Sequence, residues 1–183
     1  MLESLKDKTE ALCEGWLAEI DKTKGTTEID ISKEFIKLFG KNIIHIAFGE
    51  DIADHKLKIM VEKDLNGISP MVEKELTLVE CFDEIFDQLM TGIIPKLINP
   101  LYRFIFEATG KSVSFTAYER VVDQNCRVLR GYIHDYIQKR KTGKARSTVR
   151  KDADLLTLFF QNPEIFTDEF IVDELMDFFT AAT

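Results

Sequence analysis

The sequence predicts an all-α fold of about six helices with no significant sheet. Three observations carry that expectation. Apolar residues recur at the spacing of an amphipathic helix through nearly all of the 183 residues. Helix-capping residues stand in front of several of these stretches. No segment outside short loop pieces alternates apolar and polar residues convincingly, and no internal repeat stands out.

A first helix is predicted over residues 2–22, with Leu5, Leu12, Trp16 and Ile20 near one face, before the polar loop Thr23-Lys24-Gly25-Thr26-Thr27. A second covers 30–48: Asp30 is its cap, Ile31, Phe35, Leu38, Asn42 and Ile46 repeat along it, and Phe48-Gly49 ends it. Residues 51–69 read as loop. Ser69-Pro70, a cap followed by a first-turn proline, predicts a third helix over 70–92. Residues 93–106 are unusually apolar for a segment broken by Pro95 and Pro100, which suits a covered roof or pocket wall better than an exposed loop.

Thr116 and Glu119 form a capping box opening the strongest helix, 116–141. Tyr118, Val121, Val122, Asn125, Val128, Leu129, Tyr132, Ile133, Tyr136 and Ile137 follow its period, and Lys139-Arg140-Lys141 complement its dipole before Gly143. A short helix over 154–160 precedes Asn162-Pro163. Thr167 then caps a last one, 168–183, with Asp168 and Glu169 in its first turn. This helix stops without a Gly, Pro, Lys or Arg signal and has apolar residues on both sides of its latter half, as expected of a helix cut short and buried all round in a larger protein.

Hydrophobic residues at 45% and charged residues at 31% are the balance of a globular chain of one domain's length, able to bury a sizeable core. Fourteen Phe against one Trp and four Tyr point to a large apolar interior or cavity. The net charge of -8 argues against a nucleic-acid binder, which needs excess Lys and Arg to neutralise phosphates. Cys13, Cys81 and Cys126 lie too far apart for a C-x-x-C clip and cannot all pair, so reduced, buried thiols are expected. No run reaches the length of a membrane span, and this segment shows neither signal peptide nor anchor. Seven of the thirteen residues from Lys139 to Lys151 are basic, and from Asp152 onward there are eight acids and no Lys or Arg. The basic loop is either a solvated turn or a contact with an anionic surface or partner.

Local motifs name no enzyme. His45 has no second ligand at metal spacing and reads as a packed structural histidine. Gly110-Lys111-Ser112 lacks the first Gly of a phosphate loop, where Ile105 stands, and no strand precedes it. Glu80, Asp83, Glu84 and Asp87 share a helix face but lack a Glu-x-x-His, so they read as a solvated acidic face. The G-x-S-x-G, H-E-x-x-H and EF-hand patterns are missing.

The order of pieces from Asp30 to Thr183 nevertheless resembles the middle of a cytochrome P-450, a haem-thiolate monooxygenase. Ile29-Asp30-Ile31 leading to Ala47-Phe48-Gly49-Glu50-Asp51 is similar to that family's fifth helix, which often finishes in Phe-Gly. The proline-broken segment with Leu101-Tyr102-Arg103 falls where the family has its mobile roof. The helix 116–141 and Asp154-Leu155-Leu156 resemble the roof's second helix and the short helix after it. Residues 166–183 are similar to the long oxygen-binding helix, whose pattern is Ala/Gly-Gly-x-Asp/Glu-Thr-Thr/Ser. Ala181, Ala182 and Thr183 match its first three positions, with Ala182 where Gly is usual. The family's acid and threonine, its Glu-x-x-Arg and its Cys-ligand loop do not occur in these residues.

The resemblance implies an incomplete P-450 fold, one segment of a larger catalytic domain. The parent would use haem (heme b) to insert one oxygen atom of dioxygen into a lipophilic small-molecule substrate. An NADPH-dependent reductase would supply electrons, at the cytosolic face of the endoplasmic reticulum membrane and with membrane surface contact. The segment alone would be inactive, holding no catalytic residue and no metal ligand. It would contribute the pocket's roof and, through Phe178, Ala181, Ala182 and Thr183, the start of the oxygen-binding helix. Those side chains would face substrate or oxygen, or else serve helix packing. A different class fits the same sequence: a non-catalytic, all-helical interaction or scaffold domain with residues 93–106 as its partner surface.

Overall fold

The computed structural model describes residues 2–23, 25, 28–50, 52–62, 71–146 and 154–180. The protein is mostly helical, with seven α-helices and one two-stranded antiparallel sheet among the described residues. The chain separates into two compact units, residues Asp54–Lys144 and residues Met1–Ala53 with Ala145–Thr183.

In the second of these, α1 (Leu2–Lys22) and α2 (Ile31–Phe48) occupy the expected places. Asp30 caps α2 by accepting from the Lys33 amide, which holds its carboxyl below the usual range. Gly49 stops the helix at φ 68, a left-handed conformation that a Cβ disfavours. Leu12, Trp16 and Ile20 are half-buried on α1, and the side chain of Leu5 lies outside the described residues. Lys8 donates to the Lys41 carbonyl across the two helices. The buried face of α2 is not quite the expected one. Leu38, Asn42, Ile44, Ala47 and Phe48 are buried, whereas Ile31 and Phe35 are exposed, with Phe35 stacked on Phe39. Asn42 tolerates burial because its amide donates to the Leu38 carbonyl one turn back.

The helices α6 (Leu155–Phe160) and α7 (Asp168–Thr180) also match their expected starts. Asp154 accepts from both the amide and the hydroxyl of Thr157, and Thr167 from the Phe170 amide. α7 is not buried all round. It buries one stripe, Ile171, Val172, Leu175 and Phe179, and leaves Asp173, Glu174, Asp177 and Phe178 exposed. Part of the basic loop, Ser147 to Lys151, lies outside the described residues, as do Ser69, Pro70, Ala181, Ala182 and Thr183.

The unit Asp54–Lys144 departs furthest from expectation. The predicted loop contains strand β1 (Lys56–Glu62), and the predicted third helix begins instead as strand β2 (Met71–Thr77), paired antiparallel with Met60 opposite Glu73. Helix α3 (Leu78–Ile98) starts at Thr77, where a reciprocal capping box forms. The Thr77 amide donates to Glu80, and the Glu80 amide to the Thr77 hydroxyl. α3 continues through Pro95, and Pro100 opens α4 (Pro100–Thr109), where a missing N–H is harmless. The apolar segment is therefore helical, and Ile98, Leu101, Phe104 and Phe106 are exposed rather than covered. Helix α5 (Ala117–Lys141) buries Glu119, Val122, Asn125, Leu129, Ile133, Tyr136 and Ile137, close to the predicted stripe. Gly92 on α3 faces α5, and a Cβ there would make ordinary contact with the Tyr118 ring at 3.8 Å.

Candidate functional site

Of the residues expected to line a pocket, Phe178 stands near the end of α7, and Ala181, Ala182 and Thr183 lie outside the described residues. Phe179, only 2% exposed, stacks on Phe48 at 5.7 Å, which joins the end of α7 to the end of α2. Phe178 meets Phe179 edge-on at 5.9 Å and turns its own ring partly to solvent. The structure thus gives Phe178 an exposed edge beside an aromatic pair, and makes Phe179 the structural member. Periodicity alone cannot distinguish two adjacent phenylalanines on one helix.

A haem-thiolate centre needs a cysteine that ionises. Cys81 is fully buried on α3, and burial, then the nearby Glu80 and Glu84 carboxylates, push its thiol up to about 12. Burial likewise raises Cys126, with Asp123 adding to the effect. Cys13 is exposed on α1, against the expectation of a buried thiol. Among the described residues no group of three or more His, Cys, Asp or Glu is arranged to hold a metal ion, and no helix is long and apolar enough to cross a membrane. The acidic face of α3 is only partly solvated, because Glu80 caps its helix and Glu84 accepts from the Gln88 amide at 2.8 Å.

The other buried centre was not anticipated. Asn125 of α5, 1% exposed, presents its carboxamide to the backbone of β1 as a neighbouring strand would. Its Oδ1 accepts from the Met60 amide at 2.9 Å and its Nδ2 donates to the Met60 carbonyl at 2.7 Å. The same Nδ2 donates to Gln88 Oε1 at 2.8 Å, and Gln88 Nε2 donates to the Met60 carbonyl at 2.9 Å. Two amides thus close the outer edge of β1 at Met60 and satisfy each other, which makes their burial tolerable. Asn125 stood in the predicted stripe, but its partner lies 65 residues away, beyond the reach of local pattern.

A second polar group ties the start of α5 to α4. The Glu119 carboxylate, 4% exposed, accepts from the Tyr102 hydroxyl at 2.5 Å and from the Phe115 amide at 2.8 Å. Burial alone would raise its pKa, but the hydrogen bonds from Tyr102 and the Phe115 and Thr116 amides, with Lys96 nearby, outweigh it and hold the carboxyl below its ordinary value. Tyr102 is raised correspondingly, first by the hydrogen bond to Glu119.

These features define a mostly helical protein with an aromatic contact in one unit and an amide-lined polar centre in the other. No family model matches the chain, and no curated protein sequence matches it either.

Proposed function

We propose that this chain is the roof and one pocket wall of a haem-thiolate monooxygenase of the cytochrome P-450 kind, the iron-ligating cysteine and the oxygen-activating acid and threonine being carried by residues other than these 183. One observation supports the reading above the rest. Two segments that carry the resemblance, 30–49 and 166–183, are far apart in sequence, and Phe48 of the first stacks on Phe179 of the second within one compact unit. Pieces of one catalytic core would do so. On this reading Phe178 offers an apolar edge to a lipophilic substrate, and an NADPH-dependent reductase supplies the electrons at the cytosolic face of the endoplasmic reticulum. Haem would supply the oxygen chemistry, and the described residues would shape the cavity around it.

The test is expression of the gene's complete reading frame and a reduced carbon-monoxide difference spectrum. A thiolate-type Soret band is expected, together with a substrate-induced spectral shift that weakens in Phe178→Ala. A complete product that binds no haem overturns the proposal. That outcome would favour the interaction-domain reading, for which the exposed Leu101, Phe104 and Phe106 of α4 speak.

A further inference from the structure

Helix α4 is built as a self-contained piece. Asn99 caps its start by accepting from the Leu101 amide, Pro100 occupies its first turn, and Gly110 ends it at φ 66 with its amide on the Phe106 carbonyl. Thr109 donates back to Ile105, and Arg103 pairs with Glu107 one turn on. The Leu101 and Tyr102 amides and the Ile105 and Phe106 carbonyls are thus met from within the helix or from its own caps. None of its residues is buried. Tyr102 and Ile105 are its half-buried residues, and its link to α5 runs through Tyr102, whose ring lies 5.0 Å from that of Phe115 and whose hydroxyl donates to Glu119.

We propose that α4 is a flap hinged at Asn99 and Gly110, and that the Tyr102–Glu119 hydrogen bond is the latch that holds it docked. The geometry makes the latch separable from the fold beneath it. Glu119 also accepts from Phe115 and belongs to the capping box of α5, so the acceptor stays in place when the flap leaves. Ser114 reinforces that base by bonding Asp123, and Lys96 of α3 reaches Ser114 at 3.5 Å. The charged groups around Glu119 are therefore Lys96 from α3, Arg120 and Asp123 on α5, and the Tyr102 phenol from α4. A helix of ten residues is marginal by itself, so an undocked flap also frays. The inference does not depend on the monooxygenase reading.

The sign of its pH response follows. Glu119 is held below its ordinary pKa, so the latch is fully made above the unfolded carboxyl's value and is lost as pH falls through the folded one. Hydrogen exchange of the full chain tests this, with rates corrected for intrinsic chemistry. Tyr102→Phe keeps the ring on Phe115 and removes only the donor. It should raise opening of the 101–109 amides about tenfold, the factor one charge-assisted hydrogen bond carries, and abolish the acid dependence of opening. Glu119→Gln keeps an acceptor without the charge, so it should open less than Tyr102→Phe and likewise lose its acid response. Amides of α5 from Leu129 to Ile137 should stay protected in both. Wild-type exchange in Tyr102→Phe, or loss of protection in α4 and α5 together, would overturn the proposal.

Discussion

Replacing Asn125 by Ala tests whether its carboxamide functions as a third strand against β1. The substitution removes three hydrogen bonds, two to Met60 and one to Gln88. The Met60 carbonyl retains Gln88, so the groups left unpaired are the Met60 amide and Gln88 Oε1. At about 1 kcal/mol per bond the loss is about 3 kcal/mol, with the unpaired buried acceptor tending to increase it. At an m-value of about 2 kcal/mol per molar urea, the midpoint followed by far-UV circular dichroism falls by about 1.5 M. Exchange of the Met60 amide should accelerate in step. Asn125→Asp sharpens the case, because a carboxylate there faces the Met60 carbonyl and Gln88 Oε1 and can donate to neither. Its folded pKa would be raised above the unfolded value, so this variant should regain stability as pH falls and lose it as pH rises. An unchanged urea midpoint with unchanged Met60 exchange in Asn125→Ala would refute the edge-cover role.

The aromatic contact between α2 and α7 predicts that Phe48→Ala costs about 3–5 kcal/mol, since a fully buried ring is removed from beneath Phe179. Trp16 belongs to the same unit, so its fluorescence in a urea titration reports the loss; a change below a few tenths of a molar would count against that packing. For the thiols, Cys13 should react at once with an aromatic disulfide reagent at mildly alkaline pH, and Cys81 only after unfolding. Rapid labelling that maps to Cys81 would contradict its burial.

Much of the helical plan was legible because its signals are local. Asp30, Thr116, Asp154 and Thr167 each precede a helix by the one residue that lets a side-chain oxygen meet a free amide. The hairpin was missed although its signals are present. Leu57, Ile59 and Val61 alternate with Lys56, Lys58, Met60 and Glu62, and Asn66-Gly67 is a turn dipeptide. What misled was β2. Met71-Val72-Glu73-Lys74-Glu75-Leu76 is rich in helix formers, and pairing with β1 overrides that preference. The true helix start, Thr77-x-x-Glu80, has the same form as the box at Thr116. At the candidate site, Phe178 was named through the resemblance, and the amide pair was not named at all. Asn125 and Gln88 look like ordinary polar interruptions of two apolar stripes until the strand that they satisfy is in place.

The edge cover has a consequence for the order in which the chain can be assembled. In an antiparallel ladder the two faces of each strand's backbone alternate, so with the Met60 groups turned to α5, those of Glu73 and Glu75 turn outward from β2. There, exposed charges at 73–75 discourage a stray strand from joining, and Glu80 takes the Thr77 amide. The β1 side carries the exposed Lys56 and Lys58, so the stretch that relies on α5 is the one around Met60. During synthesis both strands leave the ribosome well before Asn125, so a nascent hairpin carries the Met60 amide and carbonyl uncovered until α5 follows. A ribosome stalled between the two would hold a chain ready to pair with its neighbours.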